Sequence, residues 1–325
     1  MSVSSAQPGA DRMIQGSPDP AFLIVGTARS GTTLVQRLAC SLEGVRVPPE
    51  THFRNFMKNA GAEARFPLDE SALREVLGRF GDRKAARGLV IDIEGIVADL
   101  GGTCPDPWRL FAALVRSLAG PAAVYGEKTP EHLRWWRPLT THFPQTRLVA
   151  IVREPRAVVA SSLQVPFGPR SHHLLAERWR ADQRQLLEAR ASLPPDRCLI
   201  LRYEDVVVDP ARYRGELGAF LHVDPAHEAP VDPSGLRQEW EWWKERADAA
   251  ITTDRIEAWR EVLTPAQARD VLSICRSQMR AFDYAERPGA VRGALTQAAF
   301  RPSVQRARVR YRRAVRRELA WAASL

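Results

Sequence analysis

The sequence predicts an α/β protein: a three-layer, P-loop-like fold in which a central parallel sheet is flanked by helices. Three observations predict it. Short apolar runs alternate with stretches of helical periodicity along most of the 325 residues, the pattern that places helices on both faces of a parallel sheet. The first run, within Phe22–Leu34 (FLIVGTARSGTTL), enters a loop bounded by Gly26 and Gly31 and leaves it at a helix start. Each of four predicted strands ends in a polar cluster (GTARSGTT, GEKTP, REP followed by SS, and RYED). In sheets of this kind, ligands sit beyond the C-terminal strand ends.

The elements follow in order. Residues 1–20 lack the apolar centre of a secretory signal and read as a disordered leader. A strand is predicted at Phe22–Val25 and a helix at Thr32–Leu42, followed by a short extended piece, Val45–Val47, that runs into Pro48, Pro49 and ETHFRNF. Residues 57–120 read as mainly helical, with apolar periodicity in Ser71–Phe80 and Pro107–Leu118. The strand Ala122–Tyr125 ends at the GEKTP loop, and helix Glu131–His142 follows. Strand Arg147–Val152 leads through REP to helix Arg156–Leu163, and Gln164–Ser171 is a loop. A long polar helix covers Leu174–Ala191, and strand Cys198–Leu201 ends at RYEDV. The remainder reads as helical, with elements near Ile256–Val262 and Pro265–Ala281. These spans make one domain, 21–285, followed by a basic helical tail, 286–325.

Composition narrows the function classes. No run reaches the roughly 18 apolar residues of a membrane span. Cys40, Cys104, Cys198 and Cys275 are far apart and form no C-x-x-C pair, which suits dispersed thiols in a reducing, cytoplasmic compartment. The net charge of +9 is uneven: from Glu286 to Leu325, ten Arg against two acids leave +8, so the body is nearly neutral. That distribution predicts no nucleic-acid partner for the body. The tail could meet a peripheral membrane surface or another anionic partner.

The chemistry-bearing residues begin in the first loop. Gly26 and Gly31 match the frame G-x-x-x-x-G-x-[ST], but Thr32 stands where nucleotide-hydrolysing loops carry Lys. Backbone N–H groups and a helix N-terminus suit a phosphate-like anion. Arg29 adds a charged fork, and Ser30, Thr32 and Thr33 add hydroxyls. A second site is predicted where the strand Leu148–Val152 delivers Arg153 to the sheet edge, with Ser161 two helical turns on.

These two motifs together resemble the sulfotransferases that use 3′-phosphoadenosine 5′-phosphosulfate (PAPS), with features of the protein-tyrosine and heparan sulfate enzymes. The resemblance spans roughly 22–284. It implies that Arg29–Ser30–Gly31–Thr32–Thr33 binds the 5′-phosphosulfate and that Arg153 with Ser161 binds the 3′-phosphate. In LRYEDVVVDP it places Tyr203 beside the adenosine. It further implies in-line, metal-independent transfer of a sulfuryl group to an acceptor hydroxyl or amine. Glu50, in the Glu50-Thr51-His52-Phe53 segment, would be the general base, with His52 its competitor. Burial of Glu50 is expected to raise its pKa toward a useful range. Lys128, in GEKTP, would stabilise the leaving phosphate, with Glu127 beside it to orient or pair with it. No R-K-G triplet that would complete the 3′-phosphate site is present; Arg170 and Lys244 are the nearest cations. Trp135, Trp136, Trp240, Trp242 and Trp243 pack a core or form an acceptor platform. The acceptor is a small molecule, carbohydrate or peptide, with the Glu-base resemblance favouring a carbohydrate or other aliphatic hydroxyl. The rival readings are a P-loop nucleotide kinase or NTPase, and a non-catalytic binding protein on the same fold.

Overall fold

A computed structural model describes residues 19–83, 86–232, 235–236, 241–242, 244, 249–284 and 309. Residues 1–18 of the leader and the basic tail, Val309 apart, lie outside the described residues, as do Trp240 and Trp243.

Five parallel strands form the sheet: β1 (Phe22–Gly26), β2 (Val45–Arg46), β3 (Val124–Lys128), β4 (Arg147–Val152) and β5 (Cys198–Arg202), in the order β2-β3-β1-β4-β5. The helices are α1 (Thr32–Cys40), α2 (Phe53–Asn59), α3 (Glu70–Gly81), α4 (Ile93–Asp99), α5 (Pro107–Ala119), α6 (Trp136–His142), α7 (Pro155–Leu163), α8 (His172–Ser192), α9 (Tyr203–Val208), α10 (Pro210–Leu221), α11 (Trp259–Val262) and α12 (Pro265–Arg280).

The central strands are apolar without alternation because both sheet faces are covered. Leu23, Val25, Leu148, Ala150 and Val152 pack into one cluster with residues of α2, α3, α5, α7, α8 and α12. Phe22, Ile24, Val149 and Ile151 point the other way, toward α1, α9 and α10. Complete burial of such side chains is worth about 1.5–3 kcal/mol each.

The extended piece expected at Val45–Val47 is a paired edge strand at Val45–Arg46. Two other elements differ from the expectation. The third strand runs through Val124–Lys128, not Ala122–Tyr125, so Lys128 ends a strand and does not sit in a loop. Its charged residues hid it: GEK reads as loop, yet Gly126 pairs with Phe22 and Lys128 with Ile24. Gly126 is required there, since a Cβ would meet the Phe22 ring at 2.6–2.7 Å. The helix expected at Glu131–His142 begins as a 3-10 turn, Pro130–Trp135, before α6.

β1 lies between β3 and β4. The chain therefore reverses its direction of sheet growth at β1, and the crevice beyond its C-terminal end is the expected ligand position.

Candidate active site

The strand ends open onto one cavity of about 1260 Å³. Arg29, Gly31, Thr32, Thr33, Glu50, His52, Arg153, Ser161, Tyr203 and Lys244 line it. Ser30 and Lys128 are fully buried behind that wall.

The first wall is cationic. After β1 the loop turns through Arg29 (φ 73°) and Gly31 (φ 105°) before α1 starts. Gly31 has a steric reason as well as a conformational one, because a Cβ would come within 2.6 Å of the Tyr203 ring. Gln183 of α8 anchors the loop by donating to Thr27 Oγ1 at 2.9 Å. Arg29 Nε donates to Ser161 Oγ at 3.1 Å. Arg153 donates to the carbonyl oxygens of Arg29 (3.2 Å) and Arg255 (2.7 Å), and its guanidinium lies 4.0 Å from the Tyr203 ring centroid. The Trp179 indole, fully buried in α8, donates to Arg153 O at 3.0 Å. Ser30 Oγ and Arg153 Nε are buried with no hydrogen-bond partner among the described residues. Burial lowers the pKa of both Arg29 and Arg153; the Arg153 charge adds to this at Arg29, and Arg255 at both. Clustering guanidiniums in a desolvated wall is costly unless an anion joins them.

The second wall is a network of opposed charges. Gln36 of α1 donates to Val47 O and Pro48 O, each at 3.1 Å, which fixes the segment leading to Glu50. Lys128 Nζ donates to Glu50 Oε1 at 2.6 Å, and Lys244 Nζ donates to the same oxygen at 2.8 Å. His52, in the left-handed region at φ 50°, places Nε2 3.3 Å from Glu50 Oε2 and Nδ1 3.5 Å from Glu131 Oε2. Arg178 donates to the other Glu131 oxygen at 3.2 Å.

The expected upward shift of Glu50 is overturned. Burial does push it up, but Lys128, Lys244 and His52 outweigh burial and hold the carboxyl well below its usual range. Burial pushes Lys128 down to about 8 against the opposing pull of Glu50. Burial also opposes the charge on His52, yet Glu131 and Glu50 carry it up to about 10, so the imidazole keeps its proton at neutral pH.

Three further placements differ from the sequence reading. Glu127 does not pair with Lys128, because adjacent strand residues face opposite sides. It instead accepts from Thr129 Oγ1 (2.6 Å) and Thr51 Oγ1 (3.4 Å) and contacts His132 Nδ1 (2.8 Å). Lys244 joins Glu50 rather than Arg153, and Arg170 donates to Leu163 O at 2.6 Å. Neither completes the wall around Arg153; Arg255, 102 residues beyond it in sequence, is the cation brought there. Nothing in its local sequence, TTDRIEAW, marks it.

Trp135 and the exposed Trp242 line the cavity, while Trp136 is core. Asn55, Phe56 and Lys58 of α2, with Phe80 and Arg83, form the part of the cavity lining that comes from 53–83. The Lys58 ammonium lies 4.7 Å from the Trp135 ring centroid. All four cysteines are free thiols, and no helix among the described residues is long and apolar enough to cross a membrane.

A family model described as "Sulfotransferase family" matches residues 20–228. Carbohydrate sulfotransferase 3 of Tetronarce californica is 27% identical over 261 residues, covering 67% of this chain and 55% of that protein. The chain thus spans about half the length of this curated relative. Two solved structures share the fold at a TM-score of 0.53: the sulfotransferase domain from the curacin biosynthetic pathway and that from the Synechococcus PCC 7002 olefin synthase. They are 16% and 22% identical, each covering 83% of this chain and 99% and 97% of their own.

Proposed function

Since the chain belongs to the sulfotransferase family, we propose that it moves a sulfuryl group from PAPS to an acceptor hydroxyl, in line and without a metal. The observation that carries this reading is the meeting of two unlike walls in one cavity. Clustered guanidiniums suit a donor with two phosphate positions, and a carboxylate held against two ammonium groups suits proton and charge transfer beside it. Membership in this family goes against the nucleotide-kinase reading, as does Thr32 in place of a loop Lys.

In this reading the Arg29–Thr33 loop and the N-terminus of α1 hold the 5′-phosphosulfate. Arg153, Ser161 and Arg255 hold the 3′-phosphate, and Tyr203 flanks the adenosine. Glu50 accepts the proton of the acceptor hydroxyl. The acceptor oxygen bonds to sulfur as the bond from sulfur to the bridging phosphate oxygen breaks, leaving 3′,5′-adenosine bisphosphate. Lys128 faces the charge that builds on that leaving oxygen. As Lys128 turns to this second anion, its hold on Glu50 weakens and the proton affinity of Glu50 rises in the same step. That coupling answers the low resting pKa of Glu50. His52, protonated at neutral pH, acts as a fixed positive neighbour rather than as the base.

The acceptor reading is an aliphatic hydroxyl, on a carbohydrate or a small molecule of similar size. Trp135 offers an aromatic surface to such a molecule, and Lys58 and Arg83 suit an anionic substituent on it.

The test is Glu50→Gln. Turnover, read as a mass gain of about 80 Da on the acceptor with PAPS as donor, is expected to fall by about 10²–10⁴-fold. Calorimetric binding of 3′,5′-adenosine bisphosphate is expected to stay within a few-fold. Undiminished turnover in the variant removes Glu50 as base. Tight nucleotide binding with no product across an acceptor panel favours the binding-protein reading.

A further inference from the structure

We propose that His172, His173 and Asp270 form a binding site for one divalent transition-metal ion of the zinc class, apart from the transfer cavity. The two histidines open α8, and Asp270 lies on α12, which packs along α8. His172 Nε2 stands 3.2 Å and His173 Nε2 3.3 Å from the same atom, Asp270 Oδ2. All three ligand atoms lie within 4.8 Å of one another.

These spacings suit coordination. Metal–ligand bonds of about 2.0–2.2 Å in a tetrahedral site set ligand–ligand edges of about 3.3–3.6 Å. The centre of the observed triangle lies no more than about 2.4 Å from each corner. Two imidazole nitrogens and one carboxylate oxygen form the donor set that favours Zn²⁺, Co²⁺ or Ni²⁺ over Mg²⁺ or Ca²⁺. His173 Nε2 is buried and has no hydrogen-bond partner of acceptable geometry, although Asp270 is at contact distance. The two rings are 4.0 Å apart, centroid to centroid. A single cation can take one nitrogen lone pair from each ring.

None of the three residues lines the transfer cavity, but Gln164, Val165, Pro166 and Phe167 do. Their loop ends at Ser171, the N-cap of α8. An ion here ties α12 to the far end of the loop that walls the cavity, a structural role with no step in the transfer.

The experiment uses the full chain, free of any affinity tag and stripped with EDTA. It is titrated with Co²⁺ by visible absorption and with Zn²⁺ by calorimetry and thermal melting. One equivalent should bind, Co²⁺ should show visible ligand-field bands, and Zn²⁺ should raise the melting midpoint. His172→Gln/His173→Gln should lose all three signals. Asp270→Asn, which keeps the side chain's shape, should bind at least about tenfold more weakly and serves if the double variant unfolds. Absence of saturable binding at millimolar metal overturns the proposal. So does affinity unchanged in Asp270→Asn, or a signal that disappears in His52→Gln while surviving in the variants of this site.

Discussion

The two walls of the cavity handle buried charge in opposite ways. Around Arg153, like charges crowd together: Arg29, Arg153 and Arg255 repel one another, and Arg153 leans on carbonyl oxygens and an aromatic face. Around Glu50, opposite charges interlock: Lys128, Lys244 and His52 surround one carboxylate, and Glu131 balances His52 from the other side. In the proposed reading, the first wall is completed by an anion from outside, and the second exchanges partners during transfer. Substitutions in the first should therefore change affinity, and substitutions in the second should change rate.

The sharpest way to break that contrast is Lys128→Met. It should lower kcat by about 10²–10³-fold through loss of leaving-group stabilisation, while affinity for 3′,5′-adenosine bisphosphate changes less than about tenfold. Lys244 and His52 still face Glu50 in this variant. The stability loss should therefore stay below the about 3–5 kcal/mol of a wholly orphaned buried charge, which thermal unfolding checks. If affinity collapses and kcat holds, the walls have been assigned the wrong way round.

Arg153→Met probes the other side. A charged hydrogen bond to phosphate is worth about 1.5–3 kcal/mol, so affinity for 3′,5′-adenosine bisphosphate should fall about 10–100-fold. Affinity for 5′-AMP, which lacks the 3′-phosphate, should change only a few-fold. Equal losses for both nucleotides would place Arg153 at the 5′ end.

A third test concerns His52, which is partly exposed. Its pKa is raised from 6.5 to about 10 in the fold, so the folded state binds the proton more tightly than the unfolded chain. That stabilisation is complete below about pH 6.5 and disappears as pH rises toward about 10. The difference in melting midpoint between the parent and His52→Gln should be widest near pH 6 and close by pH 10. A difference that stays flat across that range would show His52 to be unprotonated in the fold.

Much of this was legible in the sequence where chemistry and spacing are local. The Gly26–Thr33 loop and Arg153 just past its strand emerged from short runs, Glu50 from the resemblance of the segment after Pro48-Pro49, and the cavity receives each of them. Lys128 was legible as a residue but not as a strand end, because the charges of GEK are buried by partners distant in sequence: β1 alongside the backbone, Glu50 at Lys128 and Thr51 at Glu127. The pKa of Glu50 was expected in the wrong direction. Burial alone raises a carboxyl, and the two ammonium groups that reverse the shift come from 78 and 194 residues away.

The sequence by itself determined the layered α/β architecture, the phosphate loop and the residue types of both walls. These rest on period, turn chemistry and composition, which act within a few residues. Tertiary structure alone decided the partners: Lys244 to Glu50 rather than to Arg153, Arg255 to Arg153, Arg29 to Ser161, and Asp270 to both histidines. Coulomb energies and hydrogen bonds depend on distance in space and on exclusion of water, and neither is encoded at any single position of the chain.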